Sequence, residues 1–179
     1  MINYTLLGLM TQNYHFLKET ISGLELIRHD GLQQANFILF GLLTFFFTIG
    51  LSKELIPGVN ALFILLFQSL TAIGLIGDGL FIYEPMHLIC DLITFNSTLL
   101  VLIFFTWQFY KTRGWNGWIV YSILSALLMM GFLAAFGAAN AAHTIPGLYE
   151  RLAVVPRTVW TIVFVSKLLS GKSLRGKIH

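Results

Sequence analysis

Five apolar stretches fill most of this chain, at residues 35–51, 59–81, 88–109, 118–139 and 152–169. A helix that crosses a bilayer needs about 20 mainly apolar residues, and each stretch comes close to that length or exceeds it. Strands of a membrane barrel would alternate apolar and polar residues. Residues 99–105, Leu-Leu-Val-Leu-Ile-Phe-Phe, do not alternate. Helices are the other way to satisfy backbone polar groups in lipid. The expected fold is therefore all-α: an integral membrane helical bundle of five transmembrane helices. Composition agrees, since 11% of the residues are charged and 56% hydrophobic, with a mean hydropathy of +0.78. A soluble domain carries about 25% charged residues.

Charge assigns the sides. Cytoplasmic loops collect Lys and Arg. Lys53 lies between the first two spans, Lys111 and Arg113 between the third and fourth, and Lys167, Lys172, Arg175 and Lys177 at the C-terminal end. Lys18, Arg28 and Arg151 fall on the opposite side, and Arg157 falls inside the fifth span. The basic side reads as cytoplasmic, which gives a multi-pass protein of the cell (inner) membrane with its C-terminus inside. Trp107, Trp115 and Trp118 bracket the inner boundary as an aromatic belt. The net charge of +3 and pI near 9.1 follow from this topology and call for no nucleic acid. The layout is an extracytoplasmic segment over 1–34, the bundle over 35–169 and a basic cytoplasmic tail over 170–179.

Five crossings that end inside leave the N-terminal segment outside with no cleavable signal before it. Residues 1–10 are apolar but short, and lack a basic start and an A-x-A cleavage site. Three explanations stand side by side. The segment follows the helices out, residues 1–22 include a helix that dips into the membrane, or the fold has six helices and lacks its first.

Polar residues gather on that same side. Glu19, Glu25 and Asp30 lie in the N-terminal segment, Asp78 and Glu84 at the outer end of the second span, and Glu150 and Arg151 at the head of the fifth. Asp91 sits one turn inside the third span, and His15, His29, His87 and His143 share the side, while His179 ends the tail. The ligand-binding candidates are Asp78, Glu84, His87, Asp91, His143, Glu150, Arg151 and Arg157. His87 and Asp91 are four residues apart and so share a helix face. They read either as a satisfied pair, with Asp91 fixing the imidazole, or as a His/carboxylate site for protons or metal completed by Asp78 or Glu84. His87, Asp91 and Asp78 are the metal candidates, with zinc as the metal.

Arg157 follows Glu150 by seven residues, which sets it about 10 Å deeper at a helical rise. A charge at that depth costs about 2.5 kcal/mol or more if it faces lipid. It is expected to face the bundle, to pair with an acid, for which Asp91 is the natural partner, or to snorkel outward; its functional alternative is to bind an anionic head group. Pro156 beside it is a candidate kink. Asn60, Gln68, Asn96, Ser97 and Thr98 are expected to make interhelical hydrogen bonds, and Gly131, Ala134, Ala135, Gly137, Ala138 and Ala139 to permit close packing of the fourth span. That face would meet another helix of the chain, a second copy, or another membrane protein. Cys90 is the only cysteine, which excludes a disulfide framework and a multi-cysteine metal site. No Lys lies mid-membrane to hold retinal, and Walker, H-E-x-x-H and G-x-S-x-G motifs are missing.

Short motifs add a likeness. Residues 21–25 (ISGLE), Asn36 at the head of a Gly-containing span, Gly79-Leu80-Phe81 before His87, and residues 147–152 (GLYERL) leading to Trp160 resemble the bacterial and archaeal family DUF998. The resemblance implies a multi-spanning membrane protein, typically with six helices, and no assigned activity. In the family pattern the serine-leucine stretch follows a first transmembrane helix. Residues 1–13 are too short to be that helix, a departure that favours the reading in which a first helix is lacking.

Three functions remain open. The first is binding or transport of a lipid or small amphiphile, with the outer polar pocket taking the head group. The second is a non-catalytic subunit or sensor. The third is a membrane-embedded, metal-dependent lipid hydrolase built on His87 with Asp78, Asp91 or Glu150. Bound membrane lipid is the expected companion, and no motif demands a cofactor.

Overall fold

A computed structural model describes residues 8–11, 14–27 and 31–175. Within the described residues the regular elements are all helical: α1 Gly23–Ile27, α2 Leu32–Ser52, α3 Val59–Leu80, α4 Met86–Tyr110, α5 Asn116–Ala141 and α6 Pro146–Leu169. Helices α2 to α6 are each long and apolar enough to cross a membrane, so the chain is a multi-pass membrane protein. They match the five apolar stretches and extend most of them by a turn or so, because backbone hydrogen bonding continues past the point where polar side chains begin. The largest extension is at α6, which starts at Pro146 rather than at residue 152. Proline suits a first helical position, where its missing N–H would have no partner. Arg28, His29 and Asp30, the side chain of Glu25, residues 1–7, and Lys177 and His179 of the tail lie outside the described residues.

The five long helices pack in chain order, each against the next, while the first and last, α2 and α6, share no extensive contact. The bundle is thus an arc with a gap between its two ends. The closest joints are α2 on α3 and α3 on α4, and they depend on glycine. A Cβ on Gly41 of α2 would lie 2.6 Å from Ile76 Cγ1 and 2.8 Å from the Ala72 carbonyl. One on Gly74 of α3 would run into Thr94 Oγ1 and approach the Cys90 carbonyl to 3.0 Å. Without a strong hydrophobic drive between helices in lipid, such close backbone approach supplies the packing.

At the end where the α2–α3 and α4–α5 loops meet the tail, aromatic rings pack α4, α5 and α6 together. Phe105, Phe109, Trp115, Trp118, Trp160 and Phe164 form one buried cluster, with Phe109 stacked on Trp115 at 5.1 Å and Trp160 on Phe164 at 4.9 Å. Trp160 Nε1 donates to Ser122 Oγ at 2.9 Å, joining α6 to α5. Trp115 and Trp118 therefore belong to the core, and of the three tryptophans expected in an interfacial belt only Trp107 is exposed. The three sit near one another along the sequence, but only their helix faces decide which of them meets lipid. The tail locks the same end, where Arg175 Nε donates to the Leu55 carbonyl and Ser173 Oγ to Glu54.

Of the six small residues in α5 expected to permit close packing, Ala139 is buried and Ala135 half-buried, but most do not pack within the chain. Gly131, Ala134, Gly137 and Ala138 are exposed, and a Cβ on Gly131 or Gly137 would meet nothing within 4 Å. The close-packing glycines are instead on α2 and α3. Interhelical hydrogen bonds form as expected at Asn60, which donates to Gln108 Oε1 at 2.9 Å, and between Thr71 and Thr98 at 3.4 Å. Asn96 turns back on its own helix, donating to the Leu92 carbonyl.

Candidate functional site

The gap between α2 and α6 widens into a cavity of about 500 Å³, walled by all five long helices and covered at one end by Ile21 of the N-terminal segment. Around the cavity this bundle turns polar side chains inward and apolar ones outward. Outward faces carry residues such as Phe46, Leu62, Ile73 and Ile103, while Thr residues from α2, α3, α4 and α6 look into the cavity.

Two regions make up the wall. Leu39, Phe40 and Leu43 of α2 and Ile162 of α6 line the rim of the gap, and each is about half exposed or more. That rim faces the hydrocarbon of any bilayer these helices span. Inside, Gln33, Asp78, Asp91 and Glu150 line the end nearest the N-terminal segment, and Gln68 with Arg157 lie deeper. Asp78, from the last turn of α3, is 1% exposed and accepts a hydrogen bond from Thr94 Oγ1 at 3.3 Å.

Glu150 accepts from the Ile21 amide at 2.5 Å, so this carboxylate roofs the cavity by holding the N-terminal segment across it. Arg151, one residue on, completes the roof from outside the cavity. It donates to the carbonyls of Glu19 at 2.9 Å and Gly147 at 2.7 Å and to the Tyr14 hydroxyl, and its guanidinium stacks 4.2 Å from the Phe16 ring. Gly147 lets the segment come so close, since a Cβ there would overlap the Glu19 backbone. Tyr14 in turn donates to the Thr20 carbonyl at 2.8 Å, and burial pushes its phenol above the ordinary range despite the nearby guanidinium.

The pairing expected of Arg157 does not form. Its Nη2 donates to Gln68 Oε1 of α3 at 2.5 Å, and its guanidinium lies 5.1 Å from the Trp160 ring. Asp91 meets His87 instead, with Oδ2 3.8 Å from Nε2. Similar depth did not bring the two charges together, because Arg157 is turned toward α3. The 3.8 Å separation is too long for the hydrogen bond expected to fix the ring. The ring is fixed from its other side, where Nδ1 lies 2.8 Å from the Phe81 carbonyl. A carbonyl only accepts, so Nδ1 carries the proton. Asp78, His87 and Asp91 each bring one donor atom to within 4.8 Å of the other two.

The remaining candidates stand apart from the cavity. Glu84 is exposed and accepts from the Leu88 amide at 3.2 Å, which caps the start of α4. His143 is exposed in the α5–α6 turn. Sequence reasoning missed the polar lining supplied by Gln33, Thr44, Thr94, Thr158 and Thr161, and the part played by Tyr14 and Phe16. The spacing of Thr94 and Thr98 on α4, and of Thr158 and Thr161 on α6, was a usable signal. Threonines three or four apart mark a polar stripe on an otherwise apolar helix.

A family model described as "Protein of unknown function (DUF998)" matches residues 2–167. No curated protein and no solved structure matches the chain.

Proposed function

The chain belongs to the DUF998 family, whose members have no assigned function, and from that premise we propose that it binds a lipid or small amphiphile in the cavity between α2 and α6. The observation that carries this reading is the division of the wall. The rim at Leu39, Phe40, Leu43 and Ile162 is apolar and opens sideways, while the interior ends in Asp78, Asp91, Glu150 and the Gln68–Arg157 pair. A volume of about 500 Å³ lies within the range of small-molecule sites, which are mostly apolar with a few placed polar groups. An amphiphile would enter from the bilayer, leave its chain at the rim and turn its head group inward. Such a ligand never has to expose its tail to water.

In this reading Lys53, Lys111, Arg113, Lys167 and Lys172 mark the cytoplasmic side of the cell membrane, following the bias of basic loops. The roofed polar end of the cavity then faces away from the cytoplasm. The exposed small-residue face of α5 is a place for a second copy or another membrane protein to pack.

Native mass spectrometry of protein released from native membrane tests the proposal. A defined adduct on the wild type is expected, lost or strongly reduced in Thr44→Trp, which fills the cavity, and in Arg157→Ala. A wild type that flies without adduct under conditions that keep it folded would overturn the reading.

A further inference from the structure

We propose that Asp78, His87 and Asp91 form a binding site for a single divalent cation of the zinc class, set in the wall of the cavity. The site does not depend on whether the cavity takes an amphiphile. The residues come from the last turn of α3 and the first turns of α4, and the tight α3–α4 joint at Gly74 and Gly77 holds these two helix ends together.

Three observations converge. First, the donor atoms lie within 4.8 Å of one another. Zinc binds its ligands at about 2.0–2.2 Å and tetrahedrally, so its donors stand about 3.3 Å apart. Side-chain rotation of about 1.5 Å or less closes the difference. Second, His87 is 6% exposed and its Nε2 has no hydrogen-bond partner. With Nδ1–H held by the Phe81 carbonyl, the ring presents the Nε2 lone pair toward the carboxylates. Metal-bound histidines have this arrangement, the second nitrogen donating to a carbonyl or carboxylate. Third, Thr94 Oγ1 holds Asp78 from outside the trio, at 3.3 Å, as second-sphere groups hold ligating carboxylates.

Electrostatics point the same way. Two carboxylates this close inside a bilayer repel unless a proton or cation stands between them. Mixed imidazole and carboxylate donors favour zinc and its neighbours over magnesium or calcium. Three protein ligands leave a coordination position open. Asp78 and Asp91 line the cavity, so that position faces it. A cation there would neutralise the two carboxylates and offer its open position to an anionic oxygen, with Arg157 in the same cavity wall.

The test uses purified full-length protein and Zn²⁺ alone. Dialysis against buffered zinc, read by elemental analysis and chelator competition, is expected to give one zinc per chain. His87→Ala and Asp91→Asn should weaken binding by more than about 100-fold, and Thr94→Val by about tenfold, as loss of an outer-sphere partner does. Should these variants fail to fold, a gain of signal decides. In a Cys90→Ala background, which removes the one native thiol, His87→Cys loaded with Co²⁺ should acquire a thiolate-to-cobalt charge-transfer band. Wild-type protein that takes up no stoichiometric zinc, or a His87→Cys protein that binds cobalt without that band, would overturn the site. Lipid retention is scored separately, so either proposal can fail alone.

Discussion

Arg157 on the last long helix donates from Nη2 to Oε1 of Gln68 on α3, at 2.5 Å. One hydrogen bond to a neutral amide and a tryptophan ring alongside hold a guanidinium about halfway along a membrane helix, while its buried Nη1 has no hydrogen-bond partner among the described residues. A free charge at that depth would be costly, and the bond also spans the cavity from α6 to α3.

Removing the amide should therefore be worse than removing both partners. Gln68→Leu is expected to destabilise the bundle by about 2–3 kcal/mol, the range for hydrogen bonds to charged groups plus an unsatisfied donor. Gln68→Leu with Arg157→Met should recover much of that loss, as when buried polar pairs are replaced by apolar residues of similar volume. Unfolding titrations in mixed detergent micelles measure both.

The roof of the cavity hangs on Arg151 and Glu150. Arg151→Ala removes donors to Glu19, Gly147 and Tyr14, and each such bond to a charged group contributes about 1.5–3 kcal/mol. Amide hydrogen exchange over residues 14–27 should accelerate by at least about tenfold, the factor that corresponds to about 1.4 kcal/mol. Exchange in α3 and α4 should stay unchanged. Uniform acceleration through the bundle would show that the segment is not a separate lid.

Tyr14 gives that roof an alkaline limit. Burial raises its phenol above the ordinary value of 10, so the folded segment holds the proton more tightly than the released one. The corresponding stability is complete below about pH 10 and is lost as pH rises through the folded-state value, where a phenolate no longer donates to the Thr20 carbonyl. The phenolate absorbance of wild type minus Tyr14→Phe should titrate above pH 10. A difference curve at the ordinary value would refute the burial argument.

Glycine substitutions should sort by location. Gly74→Val and Gly77→Val push into Thr94 and Cys90 across the α3–α4 joint and should cost about 1–3 kcal/mol, as overpacking does, or more where backbone must move. Gly131→Ala and Gly137→Ala meet nothing in the chain and should be neutral or stabilise slightly, up to about 1 kcal/mol from helix propensity. If the alanine variants instead change the oligomeric state in light scattering, that face packs between copies.

Sequence alone determined that this chain spans a bilayer as helices and placed five of them, within three residues at every end but the start of α6. It also put the polar residues near the correct helix ends. Hydropathy and backbone satisfaction are properties of residue order along one segment, so they can be read one segment at a time. Which residues face one another was decided by tertiary structure. Helices that are apolar nearly all round carry little signal for their own rotation, and the order of neighbours in the arc depends on contacts between segments. Packing alone turned Arg157 to Gln68 rather than Asp91, sank Trp115 and Trp118 into the core, left the small-residue face of α5 exposed, and opened the gap between α2 and α6.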